Sequence, residues 1–329
     1  MTTRFATACS ALTAVALAAA AGIPSPARPA APGAVGTESA TAAHPVTERT
    51  PGRAPATPEC QNPLASLRPQ GSLPVPGQMP PGSTMDRIFK QGHLTVGVLE
   101  DTPPMASRDV TTLQLVGFDI DIARDIAQAI FGDRDKVLFR PLPEYSRLEV
   151  VTKDQDDLVI AAITINCERR ALVDFSTVYY EAAQQVLINR DSTVTSLDDL
   201  GGKRVCAPRD STPLMKVQTA TSKPIPVSTD TNTDCLMLLQ LGKVDALFSD
   251  DAILAGLAKQ DSSTKIVGTR VKSEPYGVAI NKNSPDLVRF VNAVLARRIE
   301  DGRWRTSYYN WLEPQLGPPP ALPTPQYRD

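Results

Sequence analysis

The chain has 329 residues, of which 42% are hydrophobic and 21% charged, and its formal net charge is −2. This length is enough for two ordinary domains, and the composition is that of a globular protein. A near-neutral charge without a long basic run argues against a nucleic-acid partner. The sequence has only two histidines, and no Cys/His cluster has metal-ligand spacing, so we predict neither a metal site nor a cofactor.

The N-terminus has the pattern of an export signal. Arg4 precedes an uncharged stretch rich in Ala, Leu and Val, and small residues at Ala18 and Ala21 offer cleavage sites. This pattern is typical of a secretory signal peptide, here over residues 1–23. Because the apolar run is short and alanine-rich, an uncleaved membrane anchor is the less favoured alternative. We therefore predict an exported protein of the periplasm or cell envelope.

Proline-rich segments flank the remainder of the chain. Residues 24–82 contain 14 prolines with many Ala, Gly, Ser and Thr. They lack hydrophobic periodicity, so they cannot bury enough apolar area to offset the entropy of ordering. We predict a disordered linker there, acting as a spacer. The tail over residues 313–329 is also proline-rich, and we expect it to be extended.

Strands and helices alternate in the first half of the folded part. Apolar runs rich in β-branched residues predict strands over residues 94–98, 136–141 and 158–165. Apolar residues at helical spacing predict a helix that ends at Gly132 and another over residues 144–153. This alternation indicates an α/β unit with a largely parallel sheet.

A second unit repeats that rhythm. Strands are predicted over residues 203–207, 225–228 and 244–248, with helices between them. A further strand over residues 276–280 then precedes a long amphipathic helix over residues 285–301. The chain is therefore α/β throughout its folded part.

The segment from residue 158 to 176 has the features of an anion site. A buried run carries Thr164 near its end, and Arg169 lies in the helix that follows. The N-terminus of a helix presents free N–H groups, and arginine can hold a carboxylate with two hydrogen bonds. The alternative is an ordinary strand–turn–helix with a surface arginine, and the local pattern leaves both open.

The order of several segments resembles one family, the polar amino-acid-binding periplasmic solute-binding proteins that serve as receptors of bacterial ABC importers. The segments are Leu94-Thr-Val-Gly-Val, Gly117-Phe-Asp-Ile-Asp-Ile-Ala, Thr164-Ile-Asn-Cys-Glu-Arg-Arg, Val173-Asp-Phe-Ser, Leu197-Asp-Asp-Leu-Gly-Gly-Lys-Arg-Val, Gly242-Lys-Val-Asp-Ala-Leu-Phe-Ser-Asp and Tyr276-Gly-Val-Ala-Ile. The proline-rich ends and paired cysteines are similar to the actinobacterial glutamine/glutamate-binding receptors of the GlnH type.

The resemblance implies a type II periplasmic-binding-protein fold. Two α/β lobes are joined by two crossover strands, and the ligand lies in a central cleft that closes by a hinge motion. Lobe 1 is expected over residues 83–182 plus 275–312, and lobe 2 over residues 183–274.

The resemblance also implies how the common part of an amino acid is bound. Arg169 takes the α-carboxylate together with the Thr164 hydroxyl. Ser211 and Thr212, at the start of a lobe 2 helix, close over the same group. Asp250 takes the α-ammonium, with Asp251 as its nearest competitor.

The side-chain end of the ligand is less defined by the sequence. Tyr145 occupies a position where the family often places an aromatic ring over the ligand, although it could equally fill the core. Arg147 and Arg209 are candidate cations for an acidic ligand side chain. Glutamine, asparagine, glutamate and aspartate all remain open.

Four cysteines follow the signal peptide, and an even number in an exported chain suggests disulfides. Three pairings are possible. A bond between Cys206 and Cys235 within lobe 2 is the simplest, which leaves Cys60 with Cys167. That second bond would fix the N-terminal segment on the turn that carries Arg169.

We therefore expect a monomeric receptor that binds an amino acid without catalysis and delivers it to the permease of an ABC importer. One alternative is a sensor that docks on a membrane signalling protein. A more distant one is a dehydratase on the same scaffold. The latter needs a general acid–base in the cleft, and no histidine follows His93.

Overall fold

The structure is a computed structural model that describes residues 60–270 and 273–329. The predicted signal peptide, and the predicted linker as far as residue 59, lie outside the described residues. The helices are Thr84–Gln91, Phe118–Phe131, Arg147–Thr152, Cys167–Leu172, Thr212–Thr219, Asn232–Gln240, Asp251–Gln260, Pro285–Glu300, Arg303–Ser307 and Glu313–Leu316. Short 3-10 turns occupy Glu144–Ser146 and Leu197–Leu200, and a π-helical turn occupies Tyr308–Leu312.

The first sheet has five strands, which run in the order Val137–Pro141, Leu94–Val98, Leu158–Val159, Ala279–Ile280 and Asp174–Phe175. Its first three strands are parallel, and Ala279–Ile280 is antiparallel to both of its neighbours. A strand from near the end of the chain therefore completes a sheet that the first half of the folded part begins.

The second sheet contains Ile225–Thr229, Arg204–Pro208, Ala246–Asp250, Tyr180–Asn189 and Thr264–Val267 in that order. Its first three strands are parallel, and Tyr180–Asn189 is antiparallel to both neighbours. The other end of this long strand pairs with Ser273–Tyr276. These two paired strands carry the chain between the two sheets, as the crossover strands of the predicted fold should.

A small sheet that the sequence did not predict forms from Asp101–Thr102, Ala106–Arg108 and Leu115–Val116. The helix Phe118–Phe131 starts directly after it at Gly117, whose φ is 136°. A Cβ at this position would lie 2.3 Å from the Met105 carbonyl oxygen. Glycine is required there because the backbone approaches too closely for any side chain.

Aromatic rings pack where the connecting strands meet the first sheet. Phe118, Tyr179, Tyr180, Tyr276 and Trp304 form a chain of ring contacts with centroid separations of 5.7 to 6.4 Å. The indole N–H of Trp304 also donates to the Tyr179 carbonyl at 2.7 Å. This packing gives the connection between the sheets a fixed apolar support.

The strand predicted over residues 158–165 is correct in burial but wrong in length. Only Leu158–Val159 pairs as a strand, and residues 160–165 are buried without continuing it. Thr164 instead forms an isolated bridge with Tyr276, and the Ile165 N–H donates to the Pro275 carbonyl at 2.7 Å. An apolar run reports burial, and it does not by itself fix the strand partner.

The prediction of a disordered linker does not hold for residues 60–82. Ala65, Ser66 and Met79 are buried, and the Ser66 hydroxyl donates to the Phe175 carbonyl at 2.7 Å. The C-terminal tail, predicted to be extended, begins instead with the helix Glu313–Leu316, and near its end Tyr327 forms a parallel bridge with Ser66. Specific contacts of these segments, with each other and with the rest of the fold, supply the ordering energy that their composition does not indicate.

Candidate functional site

A closed cleft lies between the two sheets. Its walls are in contact, so the cavity between them measures only about 10 Å³. This is roughly the space that one water needs. The lining comes from both sides, with Glu144, Arg147, Ala162, Thr164 and Arg169 on one, and Ser211, Thr212, Pro213, Ser249, Asp250 and Ile253 on the other. Six of the eight predicted ligand-binding residues are therefore brought together.

Arg169 is held by the short helix Cys167–Leu172. The Asn166 side chain caps this helix by accepting from the Arg169 N–H at 2.8 Å. The Arg169 guanidinium donates to the Thr164 carbonyl at 2.9 Å and, across the cleft, to the Asp210 carbonyl at 3.1 Å. Burial, followed by the charge of Arg147, lowers the pKa of Arg169 to about 10, so it remains a cation at neutral pH.

Hydroxyl groups join the walls beside Arg169. The Thr164 and Thr212 hydroxyls lie 3.4 Å apart, and Thr212 donates to the Glu274 carboxylate at 2.9 Å. Ser211 caps the helix Thr212–Thr219 by accepting from the Leu214 N–H at 3.1 Å. The helix N-terminus therefore faces the same space as the guanidinium, which suits a carboxylate.

Asp250 is the carboxylate of the opposite wall. It stands immediately before the helix Asp251–Gln260 without capping it, and its Oδ2 accepts from the Tyr276 hydroxyl at 2.5 Å. Burial and then the charge of Glu274 raise the pKa of Asp250 to about 8. A cation placed beside it would favour the ionised form.

Asp251, the competitor for this role, is engaged elsewhere. Its Oδ1 accepts from the backbone N–H groups of Ala183 and Ala252 at 3.1 and 2.8 Å. Its other oxygen pairs with Arg270 at 2.7 Å. Asp250 is therefore the acid of this pair that lines the cleft.

Arg147, which was predicted as a site residue, forms a buried ion pair with Glu144, which was not. The Arg147 Nη2 lies 3.1 Å from the Glu144 Oε2. Asn232, from the opposite wall, donates to the Glu144 Oε1 at 2.6 Å and accepts from the Ser249 hydroxyl at 2.9 Å. Burial raises the pKa of Glu144, and the Arg147 charge opposes that rise.

Two predicted residues lie away from the cavity lining. Tyr145 is 42% exposed, and the Arg209 guanidinium lies over its ring at 4.7 Å from the centroid. Arg209 also forms an ion pair with Asp230. In this arrangement the charge of Arg209 is matched outside the cleft.

Asp119 supports the cleft from behind. Its Oδ2 accepts from the Ala162 N–H at 3.1 Å, and Ala162 has a φ of 48°. Burial raises the pKa of Asp119 to about 7. Asp119 lies in one of the segments that resemble the family, but no role was predicted for it from the sequence. Its contact with Ala162 joins residues 43 apart in the chain.

The cysteines form two bonds, Cys60–Cys167 and Cys206–Cys235. Cys167 is the first residue of the Arg169 helix. The neighbouring Arg170 donates to the Pro63 carbonyl at 2.9 Å and also contacts the Ala65 carbonyl. The N-terminal segment is thus attached to the back of the helix that presents Arg169.

Glu144, Asn232 and Glu274 make contacts in or across the cleft but were not predicted from the sequence. Glu144 had one local signal, since it lies three residues before Arg147 in a predicted helix, a spacing that allows an ion pair. Asn232 and Glu274 had none, because their cleft contacts are with residues 88 and 62 positions away.

The two sheets, the paired strands between them and the charged cleft define a two-domain solute-binding receptor of the type II periplasmic class. The family model of bacterial extracellular solute-binding proteins, family 3, matches residues 94–314, and the chain belongs to this family.

Individual relatives agree with this class. The chain is 31% identical over 251 residues to the ABC transporter glutamine-binding protein GlnH of Bacillus subtilis, covering 76% of this chain and 92% of the relative. It is 28% identical to the glutamate-binding protein GluB of Corynebacterium efficiens, covering 75% and 86%. The structure of an ancestral arginine-binding protein bound to glutamine is 32% identical with a TM-score of 0.63, covering 69% and 99%.

These similarities confirm the predicted family and fold. The chain is an amino-acid-binding protein of the ABC transport type, and its family and relatives are receptors rather than enzymes. Within the part of the chain that the structure describes, no helix is both long and apolar enough to span a bilayer.

Proposed function

We propose that this chain is an exported receptor for a polar amino acid from the group glutamine, asparagine, glutamate and aspartate. It closes lobe 1, residues 83–182 plus 275–312, and lobe 2, residues 183–274, around the ligand. The observation that carries the proposal is the placement of buried Arg169 and Asp250 in one cleft between the sheets.

The two charges match the two ends that every α-amino acid shares. Arg169 is a cation whose present partners are neutral carbonyl oxygens, so an incoming carboxylate would bring it a charged partner. Asp250 has one carboxylate oxygen without a hydrogen-bond partner among the described residues. A ligand ammonium would supply one, and leaving a buried polar atom unpaired is costly.

A thermal-shift panel of the common amino acids tests the proposal. A ligand at about 100 times its Kd should stabilise the full-length chain by about 2.7 kcal/mol. Two analogues of glutamine probe the clamp, 4-aminobutanamide without the α-carboxylate and glutaramic acid without the α-ammonium. Both should give no shift at concentrations where the intact amino acid does. No shift with any of the four proposed ligands would overturn the proposal.

Delivery of the ligand to the permease of an ABC importer is the partner role that the family favours, and the relative from Bacillus subtilis carries that role in its name. A receptor docking on a membrane signalling protein is the alternative. Deleting the gene should abolish uptake of the labelled ligand in the first case. In the second case uptake should persist while the response to the external amino acid is lost.

A further inference from the structure

We propose that Glu144, Arg147 and Asn232 select a ligand with a neutral primary amide, glutamine or asparagine, over one with a carboxylate side chain. This inference rests on the proposed function, because it concerns the side-chain end of the same ligand. The sequence predicted Arg147 as a candidate cation for an acidic ligand side chain, and this inference assigns it the opposite preference.

Arg147 is largely saturated by the protein. A guanidinium has five N–H groups. Its Nε donates to the Glu144 carbonyl at 2.9 Å, Nη1 to the Ala161 and Ala162 carbonyls at 2.9 and 3.4 Å, and Nη2 to the Glu144 carboxylate at 3.1 Å. Four of the five donors are thus engaged, which leaves one N–H on Nη2. One donor suits a single carbonyl oxygen and not the two-point grip that arginine gives to a carboxylate.

The charge of Arg147 is also already matched. Glu144 is in contact with it, and both side chains are almost fully buried, at 6% and 5% exposure. Burial and the Asp101 charge raise the pKa of Glu144, whereas the charges of Arg147 and Arg169 favour its ionised form. A ligand carboxylate entering this region would therefore meet a negative charge that it cannot screen with water.

A primary amide fits the same groups. Its carbonyl oxygen can accept the remaining Arg147 N–H, and its NH₂ can donate to Glu144. An ionised carboxylate has about four acceptor positions, and Arg147 and Asn232 take one each. The Glu144 carboxylate and the remaining Arg147 N–H together offer the ligand amide an acceptor and a donor side by side, which is the pattern that an amide group complements.

Asn232 gives an internal example of this recognition. It is itself a primary amide, its NH₂ lies 2.6 Å from Glu144, and it is 1% exposed. The Ser249 hydroxyl donates to its carbonyl oxygen and so fixes which way the amide faces. Because Asn232 belongs to the opposite wall, the acceptor face of Glu144 is complete only when the cleft is closed.

The test measures the Kd of the full-length protein for glutamine, asparagine, glutamate and aspartate by calorimetry, for the native chain and for Glu144→Gln. Of glutamine and asparagine, the one that the native chain binds more tightly should have a Kd at least about 100-fold lower than that of the corresponding acid. The reason is that a buried site built for one hydrogen-bond pattern rejects the wrong one. Glu144→Gln keeps the shape but leaves Arg147 unneutralised, so the ratio Kd(acid)/Kd(amide) should fall at least about tenfold.

Glu149→Gln is the matched control. Glu149 lies on the helix Arg147–Thr152, which directly follows the turn of Glu144. Its side chain is 57% exposed and pairs with Lys153, so its substitution should leave the ratio unchanged. A purely structural role for Glu144 would weaken all four ligands equally and would not move the ratio. If Glu144→Gln does not fold, the preference of the native chain still decides.

Equal or tighter binding of the acids by the native chain would overturn the inference while leaving the proposed function intact. A ratio that Glu144→Gln does not change would also overturn it. Binding of none of the four amino acids would overturn the proposed function, and this inference with it.

Discussion

The two ends of the cleft use arginine in opposite ways. Arg169 donates to the neutral carbonyl oxygens of Thr164 and Asp210, so its charge is not matched by these partners. Arg147 lies against Glu144, and the two charges cancel. A buried cation with neutral partners favours an anionic ligand group, whereas a buried ion pair favours a neutral group with both a donor and an acceptor. Two arginines of one cleft can therefore favour different ligand groups, because the groups that each arginine already contacts are different.

The largest expected effect comes from removing the cation at the first end. Arg169→Ala should weaken binding of every amino acid about 1000-fold, because a buried charge–charge contact to the α-carboxylate is lost. Calorimetry with the four candidate ligands measures this loss, which should be similar for all. Arg170→Ala is the control, since Arg170 contacts the N-terminal segment at the carbonyls of Pro63 and Ala65 and should leave Kd unchanged. A loss confined to one ligand would contradict the division of the cleft into a common end and a selective end.

The second effect is the dependence of binding on pH through Asp250. Its pKa is raised to about 8, and an ammonium ligand requires its ionised form. Affinity should therefore rise with pH up to about 8, by at most about tenfold per pH unit. Binding near pH 7 should also release a proton, which calorimetry in buffers of different ionisation enthalpy detects. Binding without proton release would show that Asp250 is already ionised before the ligand arrives.

The same shift predicts the pH dependence of stability without ligand. An unfolded aspartate has a pKa of about 3.9, whereas folded Asp250 and Asp119 keep their protons to about 8 and about 7. Between these values the folded state binds more protons than the unfolded state. The free energy of unfolding should thus fall as pH rises from about 4 to about 7, and chemical denaturation measures it.

A third, smaller effect should come from hindering closure. Gly256 lies on the helix Asp251–Gln260 in the proposed lobe 2, and a Cβ there would be 1.6 Å from the carbonyl oxygen of Pro103 in the proposed lobe 1. Gly256→Ala should therefore disfavour the closed form and weaken every ligand about tenfold, since only a fraction of molecules would be competent to bind. The ratio between amide and acid ligands should stay constant. Lys259→Ala, an exposed change on the same helix, is the control, and an unchanged Kd for Gly256→Ala would contradict this account.

The smallest effect on binding is expected from the disulfide behind the Arg169 helix. Replacing both Cys60 and Cys167 with serine removes a cross-link between residues 107 positions apart in the sequence. Chain-entropy arguments give a loss of about 4–5 kcal/mol of stability for a loop of this size. Kd should change little, because the capping of the helix by Asn166 remains. Thermal unfolding and calorimetry measure the two quantities, and a large loss of affinity with unchanged stability would contradict the prediction.

The residues proposed for the common end of the cleft were predictable from the sequence, and those proposed for the selective end were not. Thr164 and Arg169 lie in one short segment, so local pattern and family resemblance placed them together, and Asp250 stands at the carboxyl end of a recognisable strand. Glu144 and Asn232 come from different walls and meet only when the two sheets approach. The same reason explains the ordering of residues 60–82, whose contacts include residues about 100 or more positions away, such as Arg170 and Tyr327.

The sequence by itself determined the α/β rhythm, the buried segments and the residue types at the shared end of the cleft, because these depend on periodicity and on neighbours a few positions apart. The tertiary structure decided the charged partner or the burial of Arg147, Arg209 and Asp250. Arg147 became half of an ion pair, Arg209 became a surface partner of Asp230, and Asp250 became a buried acid with a raised pKa. Burial and the nearest opposite charge set these properties, and both are fixed by residues that are distant in the chain.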